Sequence, residues 1–170
     1  MVEMRIVSRS LLCALSCVAV VSSAHAEEAT VTYKSLTVDV ALEAARAALQ
    51  QCRADGYQVS VAVLDRFGET QVLLRDRYTG LPANTTAINK AWTAIGFRND
   101  TSQLVSSIKN GTLDPRLADL PRVTMLGGGL KIETADTLLG AIGVSGAPGG
   151  DKDEKCARAG IDAIRDKLDF

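Results

Sequence analysis

Two alternating apolar segments joined by a tight turn constrain the fold more than any other feature of this sequence. The first, YQVSVAVLD, places Val59, Val61 and Val63 on one face, which is the period of a half-buried strand. After a turn at Gly68, TQVLLR returns as a second strand, so the two segments predict a β-hairpin. Strands joined by a tight turn are antiparallel, and the chain lacks the strand–helix–strand alternation of a doubly wound parallel sheet.

Helical periodicity elsewhere predicts helices on the faces of this sheet, which makes the expected class α+β. Thr37 and Gly56 have the residue types of an N-cap and a terminator, so they bound a first helix. Further helices are predicted at 83–97, at 101–109 with Thr101 as a cap, from Asp151 or Asp153 to Leu168, and as one turn opening at Asp114–Pro115. Further strands are predicted in RVTML (122–126), LKIET (130–134) and LLGAIGVSG (138–146).

The first 26 residues have the composition of a secretory signal peptide. Basic residues at Arg5 and Arg9 precede an apolar run at 11–21, and Ala24-His25-Ala26 forms a small-residue cleavage site. The alternative is an uncleaved anchor, which the acidic start of the next segment argues against. The expected organisation is a signal peptide at 1–26, a tail at 27–35 and one domain at 36–170. A bacterial protein of this kind is exported, either to the periplasm or out of the cell, without a stable membrane anchor.

Cleavage after Ala26 removes the only histidine of the chain, His25. The mature protein then has no residue for a Ser-His-Asp or Cys-His nucleophile system, nor for the usual histidine-bearing metal sites. The 19 basic and 20 acidic side chains nearly balance, which argues against a partner as highly charged as a nucleic acid. Acid–base chemistry would therefore fall to Asp, Glu, Lys or Tyr.

Two cysteines, Cys52 and Cys156, remain after cleavage, and both lie on predicted helices. Export places the chain in an oxidising compartment, which favours one disulfide between them. The alternative is two unpaired cysteines in the core, because cysteine is often buried.

Four segments carry a resemblance to a known family: VSVAVLDRFGETQVLLR, NKAWTAIGF, LGGGLKI and LGAIGVSGAPGGDKDEKCARAG. In this order and spacing they resemble the GlcG/HbpS family of haem-degrading-domain proteins, which includes the C-terminal domain of PduO proteins. The resemblance runs from about Leu36 to Leu168. It implies a profilin-like α/β/α sandwich around an antiparallel five-stranded sheet, often in a homo-oligomer. It also implies binding of haem or a related tetrapyrrole.

The sequence departs from this family around its glycine run, Gly127–Gly129. Gly127 stands where the family usually has a proline, and Leu130-Lys131 stands where a Pro-Ile pair is common. Three glycines after a strand leave backbone amides approachable by an anion such as a carboxylate. The alternative is a wide turn that needs positive φ angles.

Four polar side chains are candidates for the ligand site. Lys90 and Thr93 lie three apart on one predicted helix, so both can face one ligand, although Lys90 also suits an exposed surface position. Arg75 ends a hairpin strand and suits a propionate or acidic substrate, or an ion pair with Asp65 or Asp153. Asp153 near the start of the last helix suits its dipole, with a catalytic role as the alternative.

If haem binds, Met125 is the first candidate for an axial ligand, because it is the only mature methionine and adjoins the glycine run. An ordinary core methionine is the alternative, and Tyr33, Tyr57 and Tyr78 are other possible ligands. Three hypotheses follow for the function. They are an exported tetrapyrrole-binding module, an enzyme that degrades haem or acts on a small hydroxy or keto acid, and an accessory protein with a vestigial pocket.

Overall fold

The computed structural model describes residues 29–168, so the predicted signal peptide at 1–26 lies outside the described residues. The chain divides after Thr32, and every element below belongs to the second unit. Its order is α1 (Val38–Ala54), β1 (Ser60–Asp65), β2 (Thr70–Arg75), α2 (Ala83–Phe97), α3 (Thr101–Lys109), β3 (Gly129–Glu133), β4 (Leu138–Ser145) and α4 (Gly150–Asp162). Two 3-10 helices lie at Pro115–Asp119 and Arg165–Lys167. Within 29–168 no helix is both long and apolar enough to cross a membrane.

The predicted hairpin is confirmed, and it forms one side of an antiparallel sheet with strand order β2-β1-β4-β3. Ser60 of β1 pairs with Arg75 on one side and with Ser145 on the other. The described residues form four strands, and the count of five expected from the family is not reached. The predicted strand RVTML is absent because its backbone turns at Arg122, where φ is +67°, and Thr124 donates its amide to the Thr93 hydroxyl instead of a strand partner.

Helices cover both faces of the sheet, so the mixed α+β class is confirmed. On one face α1 and α4 pack against a core that includes Val59, Val61 and Val63. On the other face α2 presents alanines to β1 and β4. Short side chains let this helix approach closely: a Cβ on Gly143 of β4 would lie 2.0 Å from the Ala87 carbonyl oxygen. Gly143 therefore sets the distance between α2 and the sheet.

The predicted disulfide between Cys52 and Cys156 is confirmed and joins α1 to α4. Both cysteines are fully buried, and their Cα atoms are 5.5 Å apart, the usual separation for a bridge. The link closes a loop with a sequence separation of 104 residues. It thus restrains two helices that also meet through side-chain packing and through the ion pair between Lys155 and Asp55.

Two predicted helix boundaries are wrong. Asp100, not Thr101, is the N-cap of α3, because the Thr101 hydroxyl is occupied by the backbone of Gly129. The last helix ends at Asp162 rather than Leu168, because Ile164 donates its amide to the Ile161 carbonyl and the chain tightens into a 3-10 turn.

Candidate functional site

A cavity of about 380 Å³ lies at the end of β4. Its walls come from the loop before α2, the segment that leads into β3, and the glycine-rich loop between β4 and α4. We call this cavity the cleft. Its lining residues are Gly80, Pro82, Ala83, Lys90, Leu126, Gly127, Ser145, Gly146, Ala147, Pro148, Gly149, Gly150 and Asp153. The walls are therefore mostly small or apolar, and the charged groups are Lys90 and Asp153.

Lys90 lies in the floor of the cleft, so its interpretation as an exposed surface lysine is wrong. It shares the sheet-facing side of α2 with Ala87 and Ala94, at the spacing of neighbouring helical turns, and only 2% of it is exposed. Its Nζ donates to the Val144 carbonyl at 2.9 Å and to Asp153 Oδ2 at 2.7 Å. These contacts account for two of its three N–H donors and compensate for its burial.

Asp153 lies in the first turn of α4 and completes this buried pair. Its Oδ1 accepts the Ala147 amide at 3.0 Å, so both carboxylate oxygens are hydrogen-bonded. Burial raises the pKa of the Asp153 carboxyl above its ordinary value, while the Lys90 charge and the hydrogen bonds oppose the shift. The carboxyl is therefore close to a proton donor and less averse to protonation than a surface aspartate.

The glycine run closes over the ion pair. Gly128 has a φ of +112°, and a Cβ there would lie 2.6 Å from the Asp153 Cβ and 3.1 Å from Lys90 Nζ. Gly129 donates its amide to Thr101 Oγ1 at 2.9 Å, and a Cβ there would lie 2.3 Å from the Lys90 carbonyl oxygen. Gly127 faces the cleft. Close approach to Lys90 and Asp153 thus explains two of the three glycines.

Arg75 does not line the cleft, and its predicted ion pair with Asp65 or Asp153 is wrong. Its guanidinium donates to the Thr79 carbonyl at 2.8 Å, in the loop that precedes α2. Asp65 instead accepts the amides of Phe67 and Glu69 in the hairpin turn. Arg75 therefore holds the loop that supplies one wall of the cleft.

Thr93 and Met125 also lie outside the lining. The Thr93 hydroxyl donates to the Asn89 carbonyl at 2.7 Å and accepts the Thr124 amide at 2.9 Å. Met125 is half-buried, and the next residue along the chain, Leu126, reaches the cleft. The structure thus brings Lys90, Asp153 and the glycine run together, and places Thr93 behind the segment that carries Met125.

Sequence reasoning missed the loop between β4 and α4 as a wall of the site. Gly146, Ala147, Pro148 and Gly149 all line the cleft. The available signal was a glycine-rich connection between a strand and a helix, which often marks a ligand site. A larger cavity of about 700 Å³ between α3 and α4 adjoins the cleft, since Gly127 and Gly150 line both.

Comparisons with known proteins agree with this architecture. The family model described as haem-degrading protein HbpS-like matches residues 36–162. A double mutant of Streptomyces reticuli HbpS has a similar structure, with a TM-score of 0.76 and 38% identity over 83% of this chain and 94% of that one. PduOC, solved as a complex with haem, gives a TM-score of 0.70 and 26% identity over 76% of this chain and 95% of that one.

The chain is also similar to a curated protein of Citrobacter freundii. An uncharacterised 15.0 kDa protein from the dhaT–dhaS intergenic region of Citrobacter freundii is 27% identical over 113 residues, which is 63% of this chain and 80% of that protein.

Proposed function

Because the chain belongs to the HbpS-like family, we propose that it is an exported protein that binds haem or a related tetrapyrrole. The observation that carries the proposal is the ammonium group of Lys90, which lies in the floor of the cleft beneath an apolar rim. The 26% identity to PduOC, which was solved with haem, supports the same ligand class.

The residues of the cleft fit the edge of a tetrapyrrole. Such a ligand is a flat apolar ring with carboxylates on one edge, and ligand pockets usually measure about 300–1,000 Å³. A cleft of about 380 Å³ suits that edge, with the third N–H of Lys90 as a donor to a carboxylate. Leu81 is 91% exposed and Leu126 56% exposed beside the cleft, and both would cover part of the ring.

The other predicted residues have supporting roles in this proposal. Arg75 holds the wall before α2, and Thr93 holds the segment that contains Met125 and Gly127. Met125 does not line the cleft itself, but it adjoins the lining residue Leu126, and its thioether would hold the iron if the ligand were haem. The remaining exposed ring surface would suit a second copy of the chain, so we also propose a homo-oligomer.

Export is proposed from the signal-peptide pattern, and the disulfide is consistent with an oxidising compartment. Mass analysis of the protein recovered from an exporting host checks this proposal. A chain that begins at Glu27 is expected, and a chain that retains residues 1–26 would contradict it.

A haemin titration of the purified protein tests the ligand. We expect a saturable change of the Soret band with one haem per chain, and no saturable change would overturn haem binding. Arg75→Ala should weaken binding through the displaced wall, whereas Lys167→Met, at an exposed lysine, is the control. Loss of the Soret band with reductant and oxygen, beyond that of free haemin, would identify the haem-degrading enzyme instead.

A further inference from the structure

Lys90 has two properties that a lysine does not need in order to bind a carboxylate. It is the only buried lysine among residues 29–168, and it opens on a cavity. A lysine amine in its neutral form is a nucleophile toward carbonyl groups. Asp153 Oδ2, 2.7 Å away, is placed to take the proton that must leave first.

We propose that Lys90 is a capture site for small uncharged aldehydes and ketones, which it binds covalently as an imine while Asp153 carries the proton. This activity is separate from tetrapyrrole binding and does not rest on it. In this role Lys90 is the nucleophile and Asp153 the acid–base partner.

The proton and electron pairs balance within this pair of residues. A proton moves from Nζ to Oδ2, and the nitrogen lone pair of the neutral amine forms a bond to the carbonyl carbon. After a proton shift from nitrogen to oxygen, the carbinolamine hydroxyl takes the proton from Asp153 and leaves as water. A protonated imine on Lys90 remains beside an ionised Asp153, so the charge pair is restored at the end.

Protonation of Asp153 is the step that most needs support from the surroundings. Burial raises the pKa of its carboxyl, which reduces the free-energy cost of taking the proton from Lys90. Transfer within the pair also replaces two buried charges with two neutral groups. The same geometry is what general acid–base catalysis needs, namely a donor and an acceptor within hydrogen-bond reach.

The walls of the cleft select for uncharged carbonyl compounds of small size. Pro82, Ala83, Ala147 and Pro148 are apolar, and the cavity measures about 380 Å³. An uncharged carbonyl compound enters between these walls without a charge to desolvate. Gly128 keeps the approach to Nζ clear, because a Cβ there would lie only 3.1 Å away.

Reductive trapping with butanal and sodium cyanoborohydride tests the proposal on the purified oxidised protein. Peptide mass mapping should find butylation at Lys90 faster than at the exposed Lys167. Little or no label at Lys90 while Lys167 reacts would overturn the proposal.

Two variants test the role of Asp153 and of the space above the amine. Asp153→Asn should slow labelling of Lys90 by about 100-fold, the contribution typical of a general acid–base group, with Lys167 unaffected. Gly128→Ser should also slow it, because the new Cβ would crowd both the Asp153 Cβ, at 2.6 Å, and Lys90 Nζ, at 3.1 Å. An unchanged labelling rate at Lys90 in a folded Asp153→Asn protein would overturn the role of Asp153. If that variant fails to fold, the peptide mass map of the wild-type protein decides the proposal.

The haemin titration separates this proposal from the first one. Label at Lys90 without a saturable Soret change supports carbonyl capture and contradicts haem binding. A saturable Soret change in protein that gives no label at Lys90 supports haem binding and contradicts carbonyl capture.

Discussion

Lys90 on α2 and Asp153 on α4 form an ion pair of 2.7 Å whose side chains are only 3% and 5% exposed. Their helices cover opposite faces of the sheet, so the pair links the two outer layers around the end of β4. The Val144 carbonyl in that strand accepts the second hydrogen bond from Lys90. A single buried contact thus connects all three layers at the cleft.

Removing one partner of this pair should be costly. Lys90→Met leaves Asp153 buried without its cation, and we expect a loss of about 3–5 kcal/mol in the free energy of unfolding near neutral pH. Lys90→Met combined with Asp153→Leu should recover most of the loss, because apolar side chains tolerate this burial. Urea unfolding measures both variants, and equal stabilities would contradict an energetic link between the residues.

The deficit of Lys90→Met should shrink as the pH falls. A raised carboxyl pKa means that the folded state binds the proton more readily than the unfolded state. Protonation of Asp153 therefore stabilises the folded state. This stabilisation is fully present below the unfolded pKa of about 3.9 and is lost as the pH rises through the folded pKa. Without Lys90 that pKa rises further. Unfolding curves across an acidic pH series check this, and a constant deficit would contradict it.

Gly129→Ala should destabilise the fold, because its Cβ would lie 2.3 Å from the Lys90 carbonyl oxygen. Overpacking of this kind costs about 1–3 kcal/mol. Gly96→Ala is the matched control, since nothing beyond the adjoining helix backbone lies within 4 Å of that Cβ and alanine favours helix α2 by about 0.5–1 kcal/mol. Thermal melts of both variants give the comparison. A stable Gly129→Ala protein would show that the glycine run has room to move.

Reduction of the Cys52–Cys156 bond should lower the free energy of unfolding by about 4–5 kcal/mol in the chain-entropy model for a loop of this length. Urea unfolding with and without reductant measures the effect. Mass analysis after alkylation under non-reducing conditions should find neither residue modified. Two alkylated cysteines in the exported protein would contradict the bridge.

Asp55 should contribute stability with a pH dependence opposite to that of Asp153. Hydrogen bonds from Lys155, and then from Gln51, hold the pKa of the Asp55 carboxyl below its ordinary value. Its contribution is present above the unfolded pKa and is lost as the pH falls through the folded pKa. Asp55→Asn should therefore be less stable than the wild type near neutral pH and equal to it in strong acid. Asp136→Asn, which removes an exposed carboxylate, is the control.

Local sequence patterns sufficed for much of this fold. The alternation of Val59, Val61 and Val63 predicted the buried face of β1, and Thr37 and Gly56 bounded α1 correctly. These features depend on neighbours within one element. The predicted strand at 122–126 failed because a distant side chain, that of Thr93, takes the hydrogen bond of Thr124.

The candidate site was predicted only in part, because some of its contacts are also made by residues far apart in the sequence. Lys90, Asp153 and the glycine run meet in the cleft, and the family resemblance drew attention to all three. Periodicity alone left Lys90 open between surface and interior. Its burial depends on Val144 and Asp153, 54 and 63 residues away, and no local pattern reports such partners.

The contact between Gly143 and Ala87 has a consequence for the thermodynamics of binding. Because α2 meets the backbone of β4 at Gly143, a backbone contact as well as side-chain packing holds Lys90, which lies less than one helical turn beyond Ala87. The floor of the cleft is therefore ordered before any ligand arrives. A ligand that binds there therefore loses little of its affinity to ordering the protein.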